Sequence, residues 1–137
     1  MVSAQSPELA AEEIEDRARD HRFVQVLLLA SGEMMLGRRY YWPIYCAAER
    51  LGLPIGIYAG TMYSHPTTPN GWPTRYLQDD AANSNLFASQ LQSLLSEGIF
   101  GKFPRLRVVL MESGVTWLPG FMWRSDKTWR GVRGEVP

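Results

Sequence analysis

Cysteine is almost absent from this sequence. Cys46 stands alone among 137 residues, so no disulfide can form within the chain. It lies in a helical pattern between Tyr45 and Ala47 with no base beside it, and is expected to be a small buried hydrophobe. A reducing, cytoplasmic setting suits such a chain. Net charge is missing too: 14 basic residues balance 14 acidic ones, leaving no field to attract nucleic acid or an anionic membrane. No apolar run approaches the roughly 20 residues of a membrane span, and the opening residues are acidic and polar, unlike a signal peptide. Histidine is scarce: only His21, in a predicted surface loop, and His65. Internal repeats and low-complexity tracts are absent as well.

What is present is an alternation of helical and strand patterns. Ser6-Pro7 reads as an N-cap followed by proline at the first helical position. Ala10, Ile14 and Ala18 then recur every four residues, with Glu13 one turn before Arg17, in a helix ending near Asp20. Val24–Leu29 reads as a strand running into Ala30-Ser31-Gly32. Tyr41, Ile44, Tyr45, Ala48 and Leu51 form one helical face, with Pro43 in the first turn and Gly52 as C-cap. Ile55–Tyr58 is a second strand, and Gly56 within it predicts a close backbone neighbour. A long segment, 61–80, follows as a rim loop; Met62, Tyr63, Trp72 and Tyr76 make it too apolar for disorder. The next helix is predicted over Ala81–Glu97, with Phe87, Leu91, Leu94 and Leu95 as its buried stripe.

The third strand, Leu106–Met111, ends on an acid. Glu112 is followed at once by Ser113-Gly114 and a helical pattern, Val115–Arg124, that Pro119-Gly120 should break. Trp117, Phe121 and Trp123 belong to core or interface. Mostly apolar runs bounded by turns suit strands covered on both faces, as in parallel sheets. The carboxyl ends of such strands are where α/β folds keep their chemistry. Glu112 is therefore the candidate catalytic residue. The loop after the first strand brings Glu33, and His65 stands near the same rim; both are candidates for a substrate rim. From pattern alone, a small open α/β sheet and part of a barrel are equally allowed.

Two segments carry a resemblance. FGKFPRLRVVLMESGVTWLP resembles the region around the sixth barrel strand of the amidohydrolase-related family of metal-dependent hydrolases and decarboxylases. LLLASGEMMLGRRYYWPIYCAAERLGLPIGIYAG is similar to the region entering the fifth. The resemblance runs from about Pro7 to Trp129 and implies a partial (β/α)8 TIM barrel. A whole barrel needs about 250 residues. Residues 1–137 are thus expected to be a single incomplete segment, about three parallel strands alternating with helices, strands four to six. Val2-Ser3-Ala4 reads as the stump of another strand.

The resemblance also implies a divalent metal, often zinc, and hydrolysis or non-oxidative decarboxylation of a small molecule. The family's ligands are an HxH pair on the first strand, a His ending the fifth and an Asp ending the eighth. Tyr58, in IGIYAG, stands where the family usually has that fifth-strand His. A phenol titrating near about pH 10 is a poor zinc ligand at neutral pH. Glu112 stands at the sixth-strand position, where one branch of the family also carries ESG. The leading expectation is therefore a family fragment that lacks most metal ligands and is inactive alone. Two others stand beside it: a half-barrel subunit or pseudoenzyme completed by a partner chain, and a small non-catalytic α/β binding domain. The last would bind over Glu33, Tyr58 and Glu112 beneath the 61–80 loop. Unpaired strand edges predict self-association or a complementing chain.

Overall fold

The computed structural model describes residues 1–60 and 65–135. Three short strands form one parallel sheet in the order β1 (Val26–Leu29), β2 (Ile55–Tyr58), β3 (Val108–Met111). Helices separate them: α1 (Pro7–Arg17) precedes β1, α2 (Trp42–Leu51) joins β1 to β2, and α3 (Tyr76–Ser96) with the short α4 (Ile99–Lys102) joins β2 to β3. After β3 comes α5 (Leu118–Val132). The register places Leu29, Tyr58 and Met111 side by side at the carboxyl ends. This is the partial barrel pattern expected from the sequence.

The strands alternate sides, and the two sides fare differently. Val26, Leu28, Ile55 and Ile57 are buried with α1 and α2 in one core that includes Ile14, Ile44, Tyr45 and Phe87. On the other face Leu27, Leu29, Tyr58 and Met111 are only half-buried and Val109 is exposed. The expectation of strands covered on both faces is thus met on one face only. The second face has no layer of its own among the described residues. Gly56 on that face is covered by side chains, not by neighbouring backbone as expected. Gln25 reaches across it to the sulfur of Met111, Nε2 to Sδ 3.4 Å, and occupies the space a Cβ would need.

Local chemistry explains the helix ends. Pro7 sits in the first turn of α1, and Glu13 accepts from Arg17 Nε at 2.7 Å. The helix stops at Arg17, earlier than Asp20, because Asp20 turns to bind Arg22 through both backbone and side chain. Gly52, at φ 69°, ends α2 in the left-handed conformation that glycine adopts without steric cost. In α3 the start falls five residues earlier than expected. Gln78 Oε1 accepts from the amides of Thr74 and Arg75, at 3.2 and 3.1 Å, and so caps a turn the loop reading had absorbed. The rim loop is correspondingly shorter; Met62 and Tyr63 lie outside the described residues. Pro119-Gly120 do not break α5, since both sit in its first turn, where proline's missing N–H costs nothing.

Two burial expectations fail. Cys46 is exposed, because α2 buries Ile44, Tyr45, Ala47 and Ala48 and turns residue 46 to the opposite side. In α3 the buried stripe is Ala82, Phe87, Gln90 and Leu94, whereas Leu95 is exposed. Gln90 belongs in the core because both ends of its amide are used. Oε1 accepts from Leu36 N at 2.8 Å and Nε2 donates to Ala30 O at 2.7 Å. Next to it, Gly37 N donates to Ser93 Oγ at 3.1 Å, and a Cβ on Gly37 would collide with the Ser93 backbone. The loop after β1 is thereby clamped to α3.

Candidate functional site

The four candidate residues come together as two pairs in two clefts. Tyr58 is the last residue of β2 and lies beside Met111 of β3, so Glu112 follows one residue beyond. The Tyr58 hydroxyl and the Glu112 carboxylate share one cleft. Hydrogen bonding toward Glu112, reinforced by its negative charge, raises the phenol above its ordinary range and favours its neutral form. Glu112 has φ 61°, the one non-glycine residue in the left-handed region among those described. Holding a non-glycine residue there costs about 1–3 kcal/mol, a strain typical of sites where side-chain direction matters. The neighbouring Gly114, at φ 64°, turns the chain out of the strand. Trp117 Nε1 donates back to Ser113 O at 2.8 Å and steadies that turn.

Around this pair opens a cleft of about 530 Å³ lined by Asp79, Asp80, Asn83 and Trp117. Asp79 is fixed by Thr67 Oγ1 at 2.9 Å. Asn83 Oδ1 is buried with no hydrogen-bond partner among the described residues. No described Lys, Arg or His lines the cleft, so its charge is acidic.

The second cleft, about 730 Å³, lies over the end of β1. Glu33 and His65 face each other across it, His65 Nε2 to Glu33 Oε2 4.0 Å. Both side chains are more than half exposed. A contact of that length in solvent contributes little to stability, and only while the imidazole is protonated. Arg38 and Arg39 line the same cleft with Glu33 and Glu97, so it carries charges of both signs. A single pocket over Glu33, Tyr58 and Glu112 is therefore not what the chain builds, because α3 passes between the two sites. Asp79, Asp80 and Asn83 escaped the sequence reading. Their signal was the Gln78 cap: it puts Asp79 in the first turn of α3 and Asp80 just after, in the cleft that Glu112 also lines.

The donor set does not make a metal centre. Among the described residues no three of His, Cys, Asp and Glu gather closely enough to hold an ion. The phenol that stands at the expected ligand position is held toward its neutral form by Glu112, and a neutral phenol is a weak ligand.

Parallel strands alternating with helices, with polar residues gathered at the strands' carboxyl ends, define an α/β barrel-type protein with its site on one rim. The chain belongs to the amidohydrolase family, whose profile matches residues 1–136. It is 28% identical to a gamma-resorcylate decarboxylase from Polaromonas sp. over 136 residues, covering 89% of this chain and 39% of that enzyme. An amidohydrolase from Mycobacterium avium subsp. paratuberculosis superposes with TM-score 0.80 at 20% identity, over 99% of this chain and 37% of that one. A 5-carboxyvanillate decarboxylase from Novosphingobium aromaticivorans superposes with TM-score 0.73 at 25% identity, over 99% of this chain and 40% of that one. That enzyme was solved with manganese and 4-hydroxy-3-methoxy-5-nitrobenzoic acid. The chain thus spans about two-fifths of the length of these relatives.

Proposed function

We propose that Tyr58 and Glu112 are the proton-handling part of an amidohydrolase-type site for a small aromatic acid, and that this chain alone does not turn substrate over. The observation that carries the reading is Glu112 itself: a carboxylate on strained backbone just past β3, sharing one cleft with the phenol at the end of β2. In a non-oxidative decarboxylation the ring carbon must gain a proton as its bond to the departing CO2 breaks. In a hydrolysis, water must lose one. A positioned carboxylate serves either step. Trp117 offers a flat apolar wall for an aromatic ring.

The acidic cleft argues that the substrate's own carboxylate needs a compensating cation. The described residues supply none there. Family strands carrying the HxH pair and the Asp would complete a divalent metal site, with zinc or manganese as the ion. The relatives' decarboxylation of hydroxylated benzoates favours a lyase over a hydrolase. Among the described residues no helix is long and apolar enough to cross a membrane. With the single cysteine and balanced charge, that supports a cytoplasmic enzyme class without nucleic-acid or membrane partners.

The test is a chimera in which this chain replaces the matching segment of the Polaromonas decarboxylase. With Tyr58 retained, bound metal falls far below one per site; Tyr58→His restores it. In that restored background Glu112→Gln lowers CO2 release from dihydroxybenzoate by about 10²–10⁴-fold. Unchanged release discards the role of Glu112. Metal absent in both versions discards the placement of Tyr58, and turnover by the unmodified chain alone discards the claim of inactivity.

A further inference from the structure

Glu112 stands between two fixed points. Before it, Met111 is registered against Tyr58 in the parallel ladder. After it, the Ser113-Gly114 turn is tied to the start of α5. Trp117, the N-cap residue of α5, gives its side-chain donor to that turn: Nε1 donates to Ser113 O at 2.8 Å and to Gly114 O at 3.1 Å. Gly114 O also accepts from Ser113 Oγ at 2.8 Å. The indole is itself held, edge-on to Phe121 with ring centroids 5.7 Å apart and packed against the core.

Backbone strain persists only where the surroundings over-determine it. Glu112, at φ 61°, carries a Cβ that this conformation disfavours, and the residue is exposed, so burial of its own side chain does not hold it there. The ladder fixes the residue before it, and the indole fixes the two after it. Among the described residues no other side chain bonds that turn from outside.

We propose that Trp117 is the positioning residue of this site: its indole N–H holds the left-handed backbone of Glu112 and so keeps that carboxylate in the cleft it shares with Tyr58. What this does for catalysis rests on the role proposed above for Glu112; the hold on the backbone does not. The ligand meets a restricted wall as well. Trp117 lines the same cleft, but its side-chain donor is committed to backbone, so it offers ring surface and no hydrogen bond.

Urea unfolding in a double-mutant cycle tests the hold on the backbone. Glu112→Gln is the reference, since it removes the charge and keeps the Cβ. Glycine adopts positive φ without steric cost, so Glu112→Gly is expected to unfold at a higher midpoint than Glu112→Gln. Trp117→Phe keeps a ring against Phe121 and removes the N–H. In that background residue 112 relaxes, and the two midpoints are expected to coincide. An equal gap in both backgrounds overturns the proposal, as does no gap in either. Should Trp117→Phe fail to fold, hydrogen exchange of the indole protons in the unmodified chain decides. The Trp117 proton is expected to exchange more slowly than that of exposed Trp123, and an equal rate overturns the hold.

The catalytic arm uses the decarboxylase chimera carrying Tyr58→His. There Trp117→Phe leaves a flat wall, so KM changes little, while kcat falls by about 10–100-fold as the carboxylate loses its place. A raised KM with kcat intact makes Trp117 a wall alone and overturns the positioning role. If Glu112→Gln is itself without effect in the chimera, the function proposed for Glu112 falls, and the urea cycle still decides what holds it.

Discussion

Helices α2 and α5 are both amphipathic, and both carry proline in the first turn, yet one is anchored and the other is not. In α2, Ile44 and Ala48 are fully buried and Tyr45 is 1% exposed, with its hydroxyl donating to Leu36 O at 2.6 Å. In α5, Trp123 is 76% exposed and Met122 56%. The difference lies in what surrounds each helix. On one side α2 meets α1, and on the other the sheet. Among the described residues α5 rests against the edge of α3, where Ser125 Oγ donates to Gln92 Oε1 at 3.1 Å. Burial is a property of the neighbourhood, not of the helix alone.

The largest expected effect sharpens that contrast. Ile44→Ala in α2 should cost about 2–5 kcal/mol, the range for truncating a fully buried aliphatic side chain, read as a lower urea midpoint at unchanged slope. Trp123→Ser in α5 should shift stability by less than about 0.5 kcal/mol. A shift as large as that of Ile44→Ala would mean that α5 is packed in the single chain after all. The smallest effect concerns two phenols. Burial pushes the Tyr45 hydroxyl up, whereas Glu112 does so for Tyr58. Glu112→Gln should therefore bring the Tyr58 ionisation down toward about 10 and leave Tyr45 unmoved, as followed by tyrosinate absorbance. Because the folded phenol titrates above the unfolded one, its contribution to stability is complete below about pH 10. That contribution is lost as the pH climbs through the folded value.

Strands and rim positions were legible in the sequence because they depend on local signals. A mostly apolar run ending in a small-residue turn fixes where a parallel strand stops, and so placed Tyr58 and Glu112 at carboxyl ends. The failures are three-dimensional. Gln90 is polar by composition and reads as surface, yet two backbone groups 54 and 60 residues away make it a core residue. Helical periodicity alone suggested burial for Cys46 and Leu95. Which side of a helix meets the core depends on where the neighbours are, and no residue states that. The division of Glu33 and His65 from Tyr58 and Glu112 follows from the path of α3, which one-dimensional order does not reveal.

That path has a mechanical consequence. With 21 residues, α3 is a rod of about 31 Å. Its first turns wall the acidic cleft through Asp79, Asp80 and Asn83, and its middle walls the cleft over β1 through Leu86 and Gln90. The Gln90 and Ser93 bonds fasten that middle to the loop behind β1. One helix thus serves as a wall of both clefts, and the bonds of Gln90 and Ser93 set where that wall stands relative to the end of β1.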